Sequence, residues 1–224
     1  AEDDEKEHQD WGVKRKLAGL YAITPDEPSI EILVSKVGQA LRGGASAVQY
    51  RNKSAGPELR FEQGRALAAL CRTAGAAFIV NDDLALALAL AADGVHLGGN
   101  DGDLAEARRR LGQDRLLGAS CYNRIDLAAA AAQAGADYLA FGSVFSSGTK
   151  PGAVRAPLAI FAEARRSFAL PLVTIGGITL QNAPQVFAAG ADAVAVISAV
   201  FDAGDIAASA GGFTRLHQPQ RMNQ

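Results

Sequence analysis

Four short junctions constrain this chain more than any other feature: Gly44-Ala45-Ser46, Gly75-Ala76-Ala77, Gly135-Ala136-Asp137 and Gly190-Ala191-Asp192. Each closes a stretch with helical spacing of apolar residues and opens a short run of strand type. Glycine ends a helix in the left-handed conformation, and the small alanine lets the next strand begin close against it. The pattern between the junctions is regular. Strands are expected over 17–24, 46–51, 77–81, 94–97, 116–120, 138–141, 172–175 and 193–197. Helices are expected over 30–41, 57–73, 84–91, 104–111, 125–134, 158–167 and 180–188, with a short one at the end. Pro25 stops the first strand, and Pro57 suits a first helical turn. Eight strand–helix units are the number that closes a (β/α)8 barrel of the TIM type, so the α/β class follows from the count. The barrel should span 17–210, with a charged tail over 1–16 and a C-terminal tail over 211–224.

The bulk properties exclude several function classes. The chain has 224 residues, 49% hydrophobic and 21% charged, with a net charge of −2. One domain is the default at this length, and neither nucleic acid nor a membrane surface is attracted by the balance of charge. The longest apolar runs are alanine-rich and too short to cross a bilayer. The first 16 residues are mostly charged and read as a mobile, processed tail without chemistry, and no signal-peptide core is visible. Cys71 and Cys121 lie on different elements with no Cys/His cluster around them, so neither a zinc site nor a disulfide framework is indicated, and a reducing cytoplasm fits. Cys121 lacks the His/Asn context of a nucleophile and reads as packing. The oligomeric state stays open, a homo-oligomer included.

A barrel of this kind carries chemistry where its strands run out into the following loops. After the second strand come Gln49, Arg51 and Lys53, which alternate onto one face about 6.6 Å apart per step, leaving Val48 and Tyr50 to face the other way. Asn81 and Asp82 follow the third strand, His96 and then Gly98-Gly99-Asn100-Asp101 the fourth, and Ser120 the fifth. The sixth is followed by a hydroxyl-rich loop from Gly142 to Lys150, the seventh by Gly176-Gly177, and the eighth by Ile197-Ser198. By contrast Asp93, Asp137 and Asp192 precede strands, at the end of a barrel that serves stability, and are read as structural.

Two anion sites emerge. Backbone N–H groups at Gly176-Gly177 and Ile197-Ser198 suit a phosphate monoester at the tops of strands seven and eight. Arg51, Lys53 and Lys150 mixed with Asp82 and Asp101 suit a diphosphate only if a cation sits among the acids. Mg²⁺ takes one or two carboxylates together with phosphate oxygens. The competing reading of each acid is an ion pair with Arg51 or Lys53. His8 and His217 fall in the tails and His96 reads as a packed core histidine, so catalysis would rest on electrostatic stabilisation of a departing pyrophosphate.

These residues, with Leu20-Tyr-Ala-Ile-Thr24, Gln49-Tyr-Arg-Asn-Lys53, Val80-Asn-Asp82, Asp93-Gly-Val-His-Leu-Gly98, Gly118-Ala-Ser-Cys-Tyr-Asn123, Phe141 to Lys150, Thr174-Ile-Gly-Gly-Ile178 and Gly190 to Ser198, resemble the thiamin phosphate synthase family over 17–201. The resemblance implies a transferase of thiamin biosynthesis. It would join 4-amino-5-hydroxymethyl-2-methylpyrimidine diphosphate to a thiazole phosphate, releasing pyrophosphate first and leaving a pyrimidine carbocation for the thiazole nitrogen. On matching positions, Gln49 and Ser120 would contact the pyrimidine or its leaving group, while Arg51, Lys53, Asn81 and Lys150 would hold pyrophosphate. Asp82 and Asp101 would bind Mg²⁺, and Ser147, Thr149, Gly177, Ile197 and Ser198 would hold the thiazole phosphate. Arg51, Lys53, Ser120 and Lys150 form the implied catalytic set.

The chain departs from the family at three places. Asp83 stands where an arginine is usual, Gly98-Gly99-Asn100-Asp101 lacks an amide and one carboxylate, and Ser146-Ser147 replaces Pro-Thr. These bear on metal affinity and loop closure. Two other readings remain: a thiazole tautomerase on a similar barrel, and a noncatalytic barrel that binds a phosphorylated ligand. Arg51, Lys53, Lys150 and both acids favour the synthase, since an isomerase has no pyrophosphate to receive.

Overall fold

The computed structural model describes residues 17–146, 152 and 154–217. Eight strands, each parallel to its neighbours, close into a barrel in chain order, β8 pairing with β1. They are β1 (Gly19–Ile23), β2 (Ala47–Tyr50), β3 (Ala77–Asn81), β4 (Gly94–Leu97), β5 (Leu116–Tyr122), β6 (Tyr138–Gly142), β7 (Leu172–Ile175) and β8 (Ala193–Val196). The helices between them are α1 (Ile30–Arg42), α2 (Pro57–Ala74), α3 (Leu84–Ala89), α4 (Leu104–Leu111), α5 (Ile125–Gln133), α6 (Ala159–Ser167) and α7 (Ala183–Ala188). After β8 come α8 (Ser198–Phe201) and α9 (Ile206–His217). The barrel expected from the repeat is therefore the fold.

One boundary needs correction. The expected tail from residue 211 begins inside α9, whose Ala210 and Phe213 are fully buried and whose Thr214 hydroxyl donates to the carbonyl of Gly43 at 2.9 Å. Helix α9 packs on α1 and β1, so an apolar face with only Ile206, Ala210 and Phe213 on it is enough to extend the domain to His217. Residues 1–16 and 218–224 lie outside the described residues.

Alternation along each strand divides the apolar residues into two layers. One side packs against the helices, through residues such as Val48, Tyr50, Phe78, Val80, Leu117, Leu139 and Val194. The other side fills the barrel: Tyr21, Ile23, Ala47, Ala77, Ile79, Tyr138, Ala140, Val173, Ala193 and Ala195. The inward alanines leave room for two large rings, Tyr21 and Tyr138, which meet edge to face with centroids 6.0 Å apart.

The structure bears out the reading of the three strand-preceding aspartates. The carboxylate of Asp93 accepts the backbone N–H of Phe78, that of Asp137 the N–H of Leu117, and that of Asp192 the N–H of Leu172, each at 2.8 Å. A residue just before one strand thus pins the start of the preceding strand. Arg108 and Arg165 pair with Asp137 and Asp192. At the junctions, Gly44, Gly75, Gly135 and Gly190 have φ of 93°, 72°, 90° and 110°, the left-handed backbone that the sequence required.

Candidate active site

The loops at the C-terminal ends of the strands surround one cavity of about 840 Å³. Gln49, Arg51, Lys53, Asn81, Asp82, Asp101, Ser120, Gly177, Ile197 and Ser198 all line it, so residues from six different βα units converge as the sequence predicts. Ser147, Thr149 and Lys150 lie outside the described residues. Ser146, one of the departures, also lines the cavity, and its hydroxyl accepts from Arg155 at 3.0 Å.

Arg51 and Lys53 sit just past the end of β2, whose last residue is Tyr50 rather than the expected Arg51. The loop that carries them is locked to the helix layer beneath. Gln63 is buried in α2, and its side-chain amide donates to the carbonyl of Glu27 at 2.7 Å; Asn52 donates to that same carbonyl at 2.9 Å and to Gln63 Oε1 at 3.0 Å. Tyr50, facing outward as expected, donates to Gln63 Oε1 at 2.8 Å. The network joins the first and second βα loops and so fixes Asp26, a residue the sequence reading passed over. Asp26 Oδ1 accepts from Arg51 Nη1 at 3.2 Å and from the backbone N–H of Lys53 at 2.9 Å. Arg51 therefore already has a counter-ion in the protein. Asp26 directly follows Pro25 at the top of β1, and that position was the signal available.

Asp82 has φ of 63°, a left-handed backbone that Asp tolerates better than most residues but that still stores strain. Its backbone N–H donates to the carbonyl of His96 at 2.8 Å, which holds the turn. Burial, and then the Asp101 carboxylate beside it, raise the pKa of Asp82 above the usual carboxylate range, while Lys53 and Asn81 pull it back. Lys53 Nζ lies 3.6 Å from Asp82 Oδ2, so the ion-pair reading is realised for this lysine, which remains half exposed. One such pair leaves the second carboxylate uncompensated. Asp101 is held by the backbone N–H of Gly98 at 2.8 Å, and Gly99 donates its N–H to Tyr122 Oη at 3.1 Å. The loop thus keeps Asp101 at the mouth although it lacks the usual amide and second acid.

Asp83 does not crowd this pair. Its side chain accepts the N–H of Leu86 at 2.9 Å, capping α3, and lies 3.2 Å from Arg60 Nη2 of α2. The acid that replaces the family's arginine is therefore bound into the helix layer.

At the other side of the mouth, Gly176 and Gly177 have φ of 102° and 64°. A Cβ at Gly177 would lie 2.3 Å from the carbonyl oxygen of Ser146, and one at Gly176 1.9 Å from Ser143 Oγ. Only glycine lets the loop after β7 turn this way while pressed on the loop after β6. Ser198 starts α8 directly beside it.

Beneath the mouth, His96 is a satisfied histidine buried in the barrel, stacked on Tyr138 with centroids 5.5 Å apart. Burial pushes its pKa down to about 4, so the ring is neutral at pH 7. His96 also lines the cavity together with Tyr21; neither tyrosine of the barrel interior was singled out from the sequence. Cys121 packs as expected, and burial pushes its thiol up to about 12, which leaves no thiolate for nucleophilic work.

Comparison with known proteins gives the family. The model of the thiamine monophosphate synthase family matches residues 20–200. The chain belongs to that family. It is 57% identical over 201 residues to the thiamine-phosphate synthase of Aromatoleum aromaticum, covering 90% of this chain and 97% of that one. It is 57% identical over 187 residues to the thiamine-phosphate synthase of Thioalkalivibrio sulfidiphilus, covering 83% and 89%. A solved thiamine phosphate pyrophosphorylase from Pyrococcus furiosus superposes with a TM-score of 0.79 at 37% identity, covering 91% of this chain and 95% of that one. Among the described residues no helix is long and apolar enough to cross a membrane.

Proposed function

We propose that the protein is a thiamin phosphate synthase that couples hydroxymethylpyrimidine diphosphate to thiazole phosphate with release of pyrophosphate. The observation that carries this reading is the composition of one mouth: cations and paired carboxylates on the β2–β4 side, and a glycine-built anion cradle with Ser198 on the β7–β8 side. A tautomerase would need only the second half.

In the coupling, the bond between the pyrimidine methylene carbon and the diphosphate oxygen breaks, its electron pair leaving with pyrophosphate. The lone pair of the thiazole nitrogen then forms the new C–N bond. Arg51, Lys53 and Asn81 lie where negative charge grows on the departing group, and groups held in place before the reaction lower the barrier by matching that charge. Lys150 is assigned to the same task from the sequence pattern, as are Ser147 and Thr149 to the thiazole phosphate alongside Gly177, Ile197 and Ser198. Gln49 and Ser120, deeper in the cavity, contact the pyrimidine or its leaving group.

Asp82 and Asp101 are the residues that would hold Mg²⁺. Two neighbouring carboxylates, one of them partly desolvated, call for a shared proton or a shared cation. Hard oxygen donors with room for substrate oxygens and water suit a magnesium ion. When bound, the ion supplies positive charge to the diphosphate oxygens. The resemblance of the loops after β3 and β4 to the family's motifs and the closeness of these two carboxylates are what support the metal; a soluble, cytoplasmic enzyme acting on small molecules is the setting that the chemistry fits.

The reaction itself is the test. Pyrimidine diphosphate, thiazole phosphate and Mg²⁺ mixed with the protein are expected to give thiamin phosphate and pyrophosphate in equal amounts, with product lost on chelation of the metal. Tight binding of thiazole phosphate without product at any Mg²⁺ concentration would instead favour a tautomerase or a binding protein.

A further inference from the structure

A chain of hydrogen bonds crosses the barrel interior directly below the cavity. Gln49 Nε2 donates to Tyr21 Oη at 2.8 Å, Tyr21 Oη meets Tyr138 Oη at 2.9 Å, Tyr138 Oη meets His96 Nδ1 at 3.0 Å, and His96 Nε2 meets Ser120 Oγ at 2.9 Å. Its members come from β2, β1, β6, β4 and β5, so no local sequence pattern could reveal it. Its interior members are fully or almost fully buried, and its two ends, Gln49 and Ser120, line the cavity.

The barrel is shaped to hold this chain. Gly118 faces inward on β5, and a Cβ there would lie 2.0 Å from Tyr138 Cζ and 2.6 Å from His96 Nδ1. Any larger residue would displace the two central members. The inward alanines of β2, β3 and β8 give the rings their remaining space.

The bonds also have a direction. An amide nitrogen only donates, so Tyr21 Oη accepts from Gln49, and the sense of the next bond that also gives the Tyr21 hydrogen an acceptor within the chain is donation to Tyr138. Tyr138 then donates to His96 Nδ1. A neutral imidazole that accepts at Nδ1 carries its proton on Nε2 and donates it to Ser120 Oγ. With that lone pair engaged, the Ser120 hydrogen is left to point at the ligand.

We propose that Tyr21, Tyr138 and His96 are positioning residues that transmit this direction from Gln49 to Ser120 and make Ser120 a committed hydrogen-bond donor to an acceptor atom of the bound substrate, a ring nitrogen or a diphosphate oxygen. The proposal rests on the coupling reaction for the identity of that substrate and on the structure alone for the direction. Turning the Gln49 amide over would reverse every bond, leaving Ser120 an acceptor and His96 protonated on Nδ1. The two senses therefore differ at one observable atom.

The tautomer of His96 in the ¹⁵N-labelled full chain without ligands decides the direction, its signal identified by its absence from His96→Gln. Protonation on Nε2 is expected, and protonation on Nδ1 overturns the proposal. Tyr138→Phe should turn the single tautomer into a mixture and lower kcat about tenfold, on the scale of one neutral hydrogen bond, with KM for thiazole phosphate within about twofold. In a Ser120→Ala background the same change should cost less than about twofold, because the effect runs through Ser120. An equal loss in both backgrounds means a purely structural role and overturns the proposal. If Tyr138→Phe does not fold, Tyr21→Phe, one bond further from His96, is read in the same way. Absence of product from the wild-type chain would sink the coupling reaction, while the tautomer would still decide the relay.

Discussion

The two ends of this barrel use the same residue types for different work. At the N-terminal end Asp93, Asp137 and Asp192 each accept a backbone N–H from the preceding strand, and two of them pair with arginines. At the C-terminal end Asp82 lies against another carboxylate in a strained backbone, with one half-exposed lysine as its partner. Backbone donors satisfy the first group and leave nothing for a ligand. The second group is less fully compensated, with burial and a neighbouring carboxylate both opposing the charge of Asp82. An acid is therefore best judged by what its lone pairs already hold.

Substitutions at the two ends should separate cleanly. The largest effect is expected for Asp82→Asn, which removes a carboxylate charge from the mouth but keeps a side chain that tolerates the left-handed backbone: turnover should fall by about 10³-fold, the scale of losing electrostatic stabilisation of the transition state, here through the cation that Asp82 would hold, while the urea midpoint stays level or rises. Equal loss of both would reduce Asp82 to a structural ion pair. Asp137→Asn should do the reverse. Arg108 is only 7% exposed, and stranding a buried charge costs about 3 kcal/mol of stability; that loss is read by urea unfolding, with kcat at permissive temperature unchanged. The smallest effect sharpens the comparison inside a single dipeptide. Asp83→Ala removes a helix cap and a partly buried ion pair, so stability should drop by about 1 kcal/mol with turnover within about twofold. A large turnover loss there would mean that Asp83 reaches the ligand after all.

Much of the fold was legible because its signals are local. Gly44, Gly75, Gly135 and Gly190 mark helix ends through a backbone conformation that other residues avoid, and apolar periodicity marks what lies between them. The C-terminal limit was misplaced for the same reason: α9 is held by contacts of Thr214 and its neighbours with distant parts of the chain. The site was legible where a strand end delivers a charged residue, as at Arg51, Lys53, Asp82 and Asp101. It was not legible where the partner comes from another unit. Asp26 serves Arg51 across 25 positions of sequence and Tyr138 meets Tyr21 across 117.

From the sequence alone came the eight-unit barrel, the end that carries chemistry, and the residue types that suit a metal-bound diphosphate and a phosphate ester. These follow from periodicity and strand polarity, which each unit displays by itself. Tertiary structure alone decided which charges neutralise one another, that Asp83 turns away from the mouth, and that two tyrosines and a histidine link Gln49 to Ser120. Pairing, burial and hydrogen-bond direction are properties of side chains brought together by closure of the barrel, and no single stretch of the chain contains them.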